Sequence, residues 1–308
     1  MNSILKSWLA ASAVSLAMAA PAAESSIAFP GREAPGTAEC PSFPEKGSYT
    51  LENRTLQAHW KISGSRLGMT HLQDKIAGKA IPVPEELFVL ELRDGSEIKA
   101  SDLKVLGISV APLAAKEKAS RLAERLPGKA ILATLGTEDG RLQVEWKAIL
   151  RDGSNYLRQE IAIQPVKGDC DIAKIVLVEQ EMPGLQIVGA VPGSPVVSGN
   201  LFLGFEHPMS TSQVEDGGWF ADPEAKCFLE RALPLKEGKQ FACSSVIGVV
   251  PEGQMRRGLL YYVERERAHP YRTFLHYNSW YDIGYFTPYN EADCLGVINA
   301  FAKELGEK

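Results

Sequence analysis

The sequence predicts a mainly β protein: a large antiparallel assembly followed at its C-terminal end by one strand–helix unit. Three observations lead there. From residue 48 onward, short segments rich in β-branched and aromatic residues follow one another, each ending at a turn signal. Hairpin dipeptides separate several of them, at Asp94-Gly95, Asp139-Gly140 and Asp152-Gly153. Residues 269–308 then change texture, from an aromatic run to an apolar pattern with helical spacing.

The N-terminus has the layout of an export signal. Lys6 supplies the positive region, Trp8 to Leu16 the apolar stretch, and Ala17-Met18-Ala19 or Ala20-Pro21-Ala22 a small-residue cleavage site. The apolar stretch is shorter than the roughly 20 residues a membrane-spanning helix needs. Residues 1–23 are therefore expected to be a signal peptide, which implies a secreted or periplasmic protein with no membrane span after cleavage. Residues 24–47, with Pro30, Pro35, Pro41 and Pro44, read as a lead-in segment.

Residues 48–268 form the expected β domain. Tyr49 to Ile62 reads as one strand, and Leu87 to Leu92 and Leu103 to Val110 follow, then Ala130 to Leu135. Leu142 to Leu150 alternates Leu142, Val144, Trp146, Ala148 and Leu150 with Gln143, Glu145 and Lys147, the period of a half-buried strand. Tyr156 to Ile163, Ile172 to Val178, Ser198 to His207, Phe241 to Val250 and Met255 to Val263 read as further strands. Few stretches before residue 285 read as helical; Lys116 to Leu126 has helix-forming composition.

Residues 269–308 predict a buried strand over Thr273 to Trp280 and then a helix. Thr287 fits the N-cap, Pro288 the first helical position and Gly306 the C-cap. Leu295, Ile298, Phe301, Ala302 and Leu305 recur at spacings of three and four. A buried strand with an amphipathic helix is half of a βαβ unit, so the natural protein is expected to continue past Lys308.

The 308 residues are 45% hydrophobic and 23% charged, an ordinary globular balance. A formal charge of -5 and the lack of any basic run argue against a nucleic-acid binder, which neutralises phosphates with clustered Lys and Arg. The five cysteines, Cys40, Cys170, Cys227, Cys243 and Cys294, leave at least one thiol unpaired within the chain. Cys227 with Cys243 is the first pairing to test, and buried free thiols are the alternative. No Cys/His grouping has zinc-ligand spacing, and no P-loop, dinucleotide fingerprint or nucleophile elbow occurs. No metal and no cofactor are expected.

The segment from Glu264 to Arg272 leads into Phe274-Leu-His-Tyr-Asn-Ser-Trp-Tyr-Asp282. It resembles the junction in α-galactosidase-like glycoside hydrolases, or a neighbouring glycosidase family of the same architecture. There a galactose mutarotase-like β-supersandwich precedes a (β/α)8 barrel, whose first strand ends in an Asn-Ser-Trp-type motif, matched by Asn278, Ser279 and Trp280. Leu51 to Trp60, Leu90 to Gly95, Gly153 to Tyr156 and Phe202 to Pro208 look like parts of such a supersandwich. Tyr277 and Tyr281 depart from the family pattern, where Gly-Trp usually precedes the motif.

The resemblance implies that residues 48–268 are the supersandwich and residues 269–308 the start of a truncated catalytic barrel. It implies a glycan partner and no catalytic residue in this chain, since the paired carboxyl groups of glycosidases would come from later barrel strands. Barrel sites gather at the C-terminal ends of strands. Asn278, Trp280, Tyr281 and Asp282 are thus the expected substrate contacts, the aromatics stacking on sugar faces and Asp282 accepting from hydroxyls. Two other functions stay open. One is a stand-alone carbohydrate-binding or adhesive β-sandwich with Trp219 or Trp280 as its platform. The other is a sugar mutarotase or epimerase, for which Glu206 with His207 is the neighbouring acid–histidine pair. Trp219, in Asp216-Gly-Gly-Trp219, is expected to be buried on a Gly-rich turn, and Glu264 to Arg267 to be a solvated edge or salt-linked linker.

Overall fold

The computed structural model describes residues 28–43, 46–271 and 276–306. The predicted signal peptide lies outside the described residues. The chain divides into two compact units, Met1–Pro270 and Tyr271–Lys308.

The larger unit is antiparallel throughout. β1 (Ser42–Phe43), β2 (Ser48–Glu52), β3 (Leu56–Ser63), β4 (Arg66–Asp74) and β5 (Lys79–Ala80) pair in chain order as a five-stranded meander. The single strand expected over Tyr49 to Ile62 is in fact a hairpin. Asn53 turns the chain there: its Oδ1 accepts from the Thr55 backbone N–H and hydroxyl, both at 2.8 Å, and its amide donates to the Ser154 carbonyl at 2.7 Å. A buried Asn that satisfies its own neighbours in this way favours a turn over a continuous strand.

Next come β6 (Val89–Leu92), β7 (Glu97–Lys99), β8 (Lys104–Leu113), β9 (Gly128–Gly136), β10 (Leu142–Arg151), β11 (Tyr156–Pro165) and β12 (Ile172–Glu181). They are followed by β13 (Gln186–Ile187), β14 (Val196–Ser198), β15 (Leu201–Phe205), β16 (Thr211–Glu215), β17 (Glu224–Glu230) and β18 (Phe241–Val249). An eight-stranded sheet runs β13-β14-β15-β18-β11-β10-β9-β8, and a second five-stranded sheet runs β16-β17-β12-β6-β7. The three Asp-Gly pairs all fall in the turns between consecutive paired strands, β6–β7, β9–β10 and β10–β11. The β domain is therefore antiparallel, as its sequence predicts.

The eight-stranded sheet carries the main core on one face. Its inner face carries the alternating β10 residues Leu142, Val144, Trp146, Ala148 and Leu150, all buried, with Val144 and Trp146 opposite Ile163 and Ile161 of β11. Both five-stranded sheets share this core, the first through Leu51, Leu56 and Trp60 and the second through Ile175, Leu177 and Val178. Trp60 and Trp146 meet edge to face with ring centroids 5.7 Å apart, a geometry worth about 0.5–1.5 kcal/mol beyond area burial. A small cavity of about 60 Å³ lies beside them, lined also by Met69, Gln159 and Leu177.

The outer face of the same sheet is covered by α1 (Met255–Glu266), which corrects the strand expected over Met255 to Val263. The Tyr-Tyr-Val run has strand propensity, but the residues that meet the sheet, Met255, Leu259 and Tyr262, are three and four apart. They pack on Tyr156, Val197, Phe202, Val246 and Val250. Contact here requires a glycine, because a Cβ on Gly258 would collide with the Val250 side chain. Lys116 to Leu126 contributes only a 3₁₀ turn over Leu122–Arg125.

The smaller unit contains α2 (Glu291–Phe301), continued by one π-type turn over Ala302–Gly306. Its N-cap is Asn290, not Thr287. Asn290 Oδ1 accepts from the Ala292 and Asp293 backbone N–H groups, and Asp293 returns a bond to the Asn290 N–H at 2.9 Å. This reciprocal box outcompetes a Thr-Pro start placed earlier in the chain. The buried strand expected over Thr273 to Trp280 is not found among the described residues. Residues 272–275 lie outside them, His276 to Asn278 belong to no strand, and Ser279–Tyr281 form a 3₁₀ turn.

Candidate functional site

The four expected contact residues lie together in that turn. Asn278 Oδ1 accepts from the Trp280 N–H at 3.0 Å, which spends the side chain on capping the turn. Asp282 Oδ2 accepts from the Tyr277 hydroxyl at 2.7 Å. Partial desolvation and the Asp282 carboxylate push the Tyr277 phenol up to about 12. Trp280 is half exposed, not a core residue, and stands against Tyr285 and Phe286 with centroids at 4.2 and 5.9 Å. Tyr281 is 88% exposed. The turn therefore presents an aromatic surface of Trp280, Tyr281, Tyr285 and Phe286 beside one hydrogen-bonded carboxylate.

A second constellation, whose members the sequence does not bring together, lies on the outer face of the eight-stranded sheet. Arg158 of β11 meets Glu206, just after β15, through Nη2–Oε2 at 2.7 Å and Nε–Oε1 at 3.0 Å. It also contacts Glu160 at 3.0 Å and Glu266 of α1 at 3.6 Å. The Tyr262 hydroxyl donates to Glu206 at 2.6 Å and the Tyr156 hydroxyl to Glu266 at 2.7 Å. Arg265 donates to the Asp152 carbonyl at 2.7 Å.

Burial works against the ionised form of Glu206. The Arg158 charge and hydrogen bonds from Arg158, Ser244 and Tyr262 more than offset this and hold its pKa below the ordinary value. Burial and the neighbouring carboxylates push both tyrosines well above the usual phenol range. Each carboxylate here is paired with an arginine, and Arg265 is satisfied by hydroxyls and a carbonyl, so the cluster clamps α1 to the sheet and offers no free acid or base. Glu264 to Arg267 is thus salt-linked, as expected, yet Arg265 is buried rather than solvated. The cluster also removes the acid–histidine pair a mutarotase would need: Glu206 is committed to Arg158, and His207 Nδ1 accepts from the Met209 N–H at 3.1 Å.

Trp219 is another correction. It sits with Phe220 at the tip of the β16–β17 hairpin, and the two are fully exposed, at 97% and 102%. Cys227 and Cys243 are free and buried, so the alternative of buried thiols holds over the pairing. Among the described residues no group of His, Cys, Asp or Glu is placed to hold a metal ion, and no helix is long and apolar enough to cross a membrane.

These features define a three-sheet antiparallel β-sandwich protein with a small aromatic C-terminal unit. No protein-family model and no curated protein matches the chain. Among solved structures it is similar to the α-galactosidase from Lactobacillus brevis, with a TM-score of 0.47 and 11% identity over 84% of this chain and 47% of that one. It is similar also to the galactosidase domain of an α-galactosidase-sucrose kinase, with a TM-score of 0.46 and 10% identity over 70% of this chain and 42% of that one. A putative aldose 1-epimerase from Klebsiella pneumoniae subsp. pneumoniae MGH 78578 gives 0.47 and 9% over 75% of this chain and 87% of that one. The chain spans less than half the length of the two galactosidase structures.

Proposed function

We propose that this chain is the non-catalytic N-terminal portion of a secreted, exo-acting glycoside hydrolase that removes terminal α-linked sugars from glycans. The observation that carries the reading is the apolar surface that residues 276–306 leave uncovered within their own unit. Tyr281 and Phe286 are 88% and 82% exposed, and Leu295, Ile298 and Leu305 of the helical segment are 48–63% exposed. A helix with its own capping box and an unburied apolar side is built to be covered by further structure. The Asn278-Ser279-Trp280 motif supplies the chemistry of that structure, a sugar pocket walled by aromatic faces with Asp282 as acceptor.

The test is enzymatic. The purified 308-residue chain is expected to leave aryl α-glycosides intact. A gene product that continues through further strand–helix units with paired carboxylates is expected to hydrolyse them. Turnover by the chain alone, or a continuation without such units, overturns the reading.

A further inference from the structure

The β16–β17 hairpin holds two large aromatic side chains away from every other part of the larger unit. That placement is specified by the loop. Asp216 Oδ1 accepts from the Gly218 N–H at 3.1 Å, and Gly218 has φ +71°. A Cβ at Gly217 would run into the carbonyl oxygens of Ala221 and Asp222. The loop thus folds tightly on itself through two successive glycines and a side-chain bond, and points Trp219 and Phe220 at solvent. Leaving two such rings in water is unfavourable for a side chain without a binding role, and loops on a rigid sheet are where such roles reside.

We propose that this tip is a binding site for a neutral carbohydrate, separate from residues 278–282 and independent of whether the chain belongs to a hydrolase. Exposed Glu215 and Asp222 flank the aromatic pair in the chain, and neither is in an ion pair among the described residues. Their charge disfavours anionic partners such as acidic lipid surfaces, polyanions and nucleic acid. Ring faces with carboxylates beside them in the chain, on a hairpin whose residues 211–225 include no Lys or Arg, match the apolar face and hydroxyl edge of an uncharged sugar. The indole and phenyl faces would stack on sugar C–H groups, and the carboxylates would accept from the hydroxyls.

The experiment titrates the full chain with raffinose and with maltotetraose and follows acrylamide quenching of tryptophan fluorescence. Trp60 and Trp146 are buried, so a Trp280→Phe variant leaves Trp219 as the exposed reporter in the described structure. The expected result is protection of Trp219 by at least one of the two sugars. Read by calorimetry, Trp219→Ala should weaken binding by about tenfold or more. Trp219 touches no core residue, so the thermal midpoint of Trp219→Ala should match the parent and exclude misfolding. Three results overturn the proposal: no binding by either sugar up to about 50 mM, binding unchanged in Trp219→Ala, or a self-associated chain that Trp219→Ala converts to monomer. None of these bears on the hydrolase reading, which is decided by turnover.

Discussion

Arg158 and Glu206 form a two-pronged ion pair on the outer face of the eight-stranded sheet, with Nη2 2.7 Å and Nε 2.9 Å from the same carboxylate oxygen. Their side chains are only 10% and 13% exposed. Removing one partner leaves the other charge buried. Arg158→Met should therefore cost about 3–5 kcal/mol in urea unfolding, and the double replacement Arg158→Met with Glu206→Met should recover much of it. A single-variant loss below about 1 kcal/mol would mean that water already reaches the pair.

The same pair sets an acid limit. Glu206 has a folded pKa lowered below its unfolded value, so its contribution is complete above the unfolded value and is lost as pH falls through the folded one. The thermal midpoint should be flat between about pH 5 and 7 and fall below about pH 4.3. Glu206→Gln should be less stable at neutral pH and show a shallower acid slope.

Helix α1 makes an unusual demand at Gly258. An exposed helical glycine gains about 1 kcal/mol on replacement by Ala. Here the new methyl meets Val250, so Gly258→Ala should instead destabilise by about 1–3 kcal/mol. Pairing it with Val250→Ala should restore part of the loss, read by thermal unfolding.

Burial pushes the Cys227 thiol up to about 11 and the Cys243 thiol to about 12. Neither should react with a thiol reagent in the native protein at pH 8, and both should react once the chain is unfolded. Mass mapping of the labelled peptides checks this. A Cys227–Cys243 cross-link in the native protein would contradict the free thiols.

The start of α2 gives a local test. Asn290→Ala should cost the helix about 0.5–2 kcal/mol, while Thr287→Ala should change it little. Amide exchange over Glu291–Phe301 distinguishes the two.

Much of the β domain is legible in the sequence because local rules decide it. The alternation in Leu142 to Leu150 and the Asp-Gly turns place β10 and its neighbours within a few residues. Failures occur where a distant partner overrides local preference. Met255 to Val263 reads as a strand until Val250 and Phe202 supply the surface that its helical face covers. Glu206 reads as half of an acid–histidine pair and Glu266 as part of a solvated or salt-linked run because their common partner Arg158 is far away in sequence. Trp219 lies on the Gly-rich turn its sequence predicts but is exposed rather than buried, because the hairpin tip offers it no surface to pack on. The 278–282 cluster is legible as a motif, but its expected strand geometry is not present in the described residues.

The pairing of β11 with β18 joins residues 156–163 to residues 241–248, and β12 reaches back to β6 across a comparable span. By contrast, β1 to β5 pair with immediate neighbours. During synthesis the first meander can assemble as it leaves the ribosome, while the eight-stranded sheet keeps an open edge until β18 has been made. A ribosome pausing before residue 241 would leave β11 unpaired on that side, with its apolar strand edge free for any neighbouring chain.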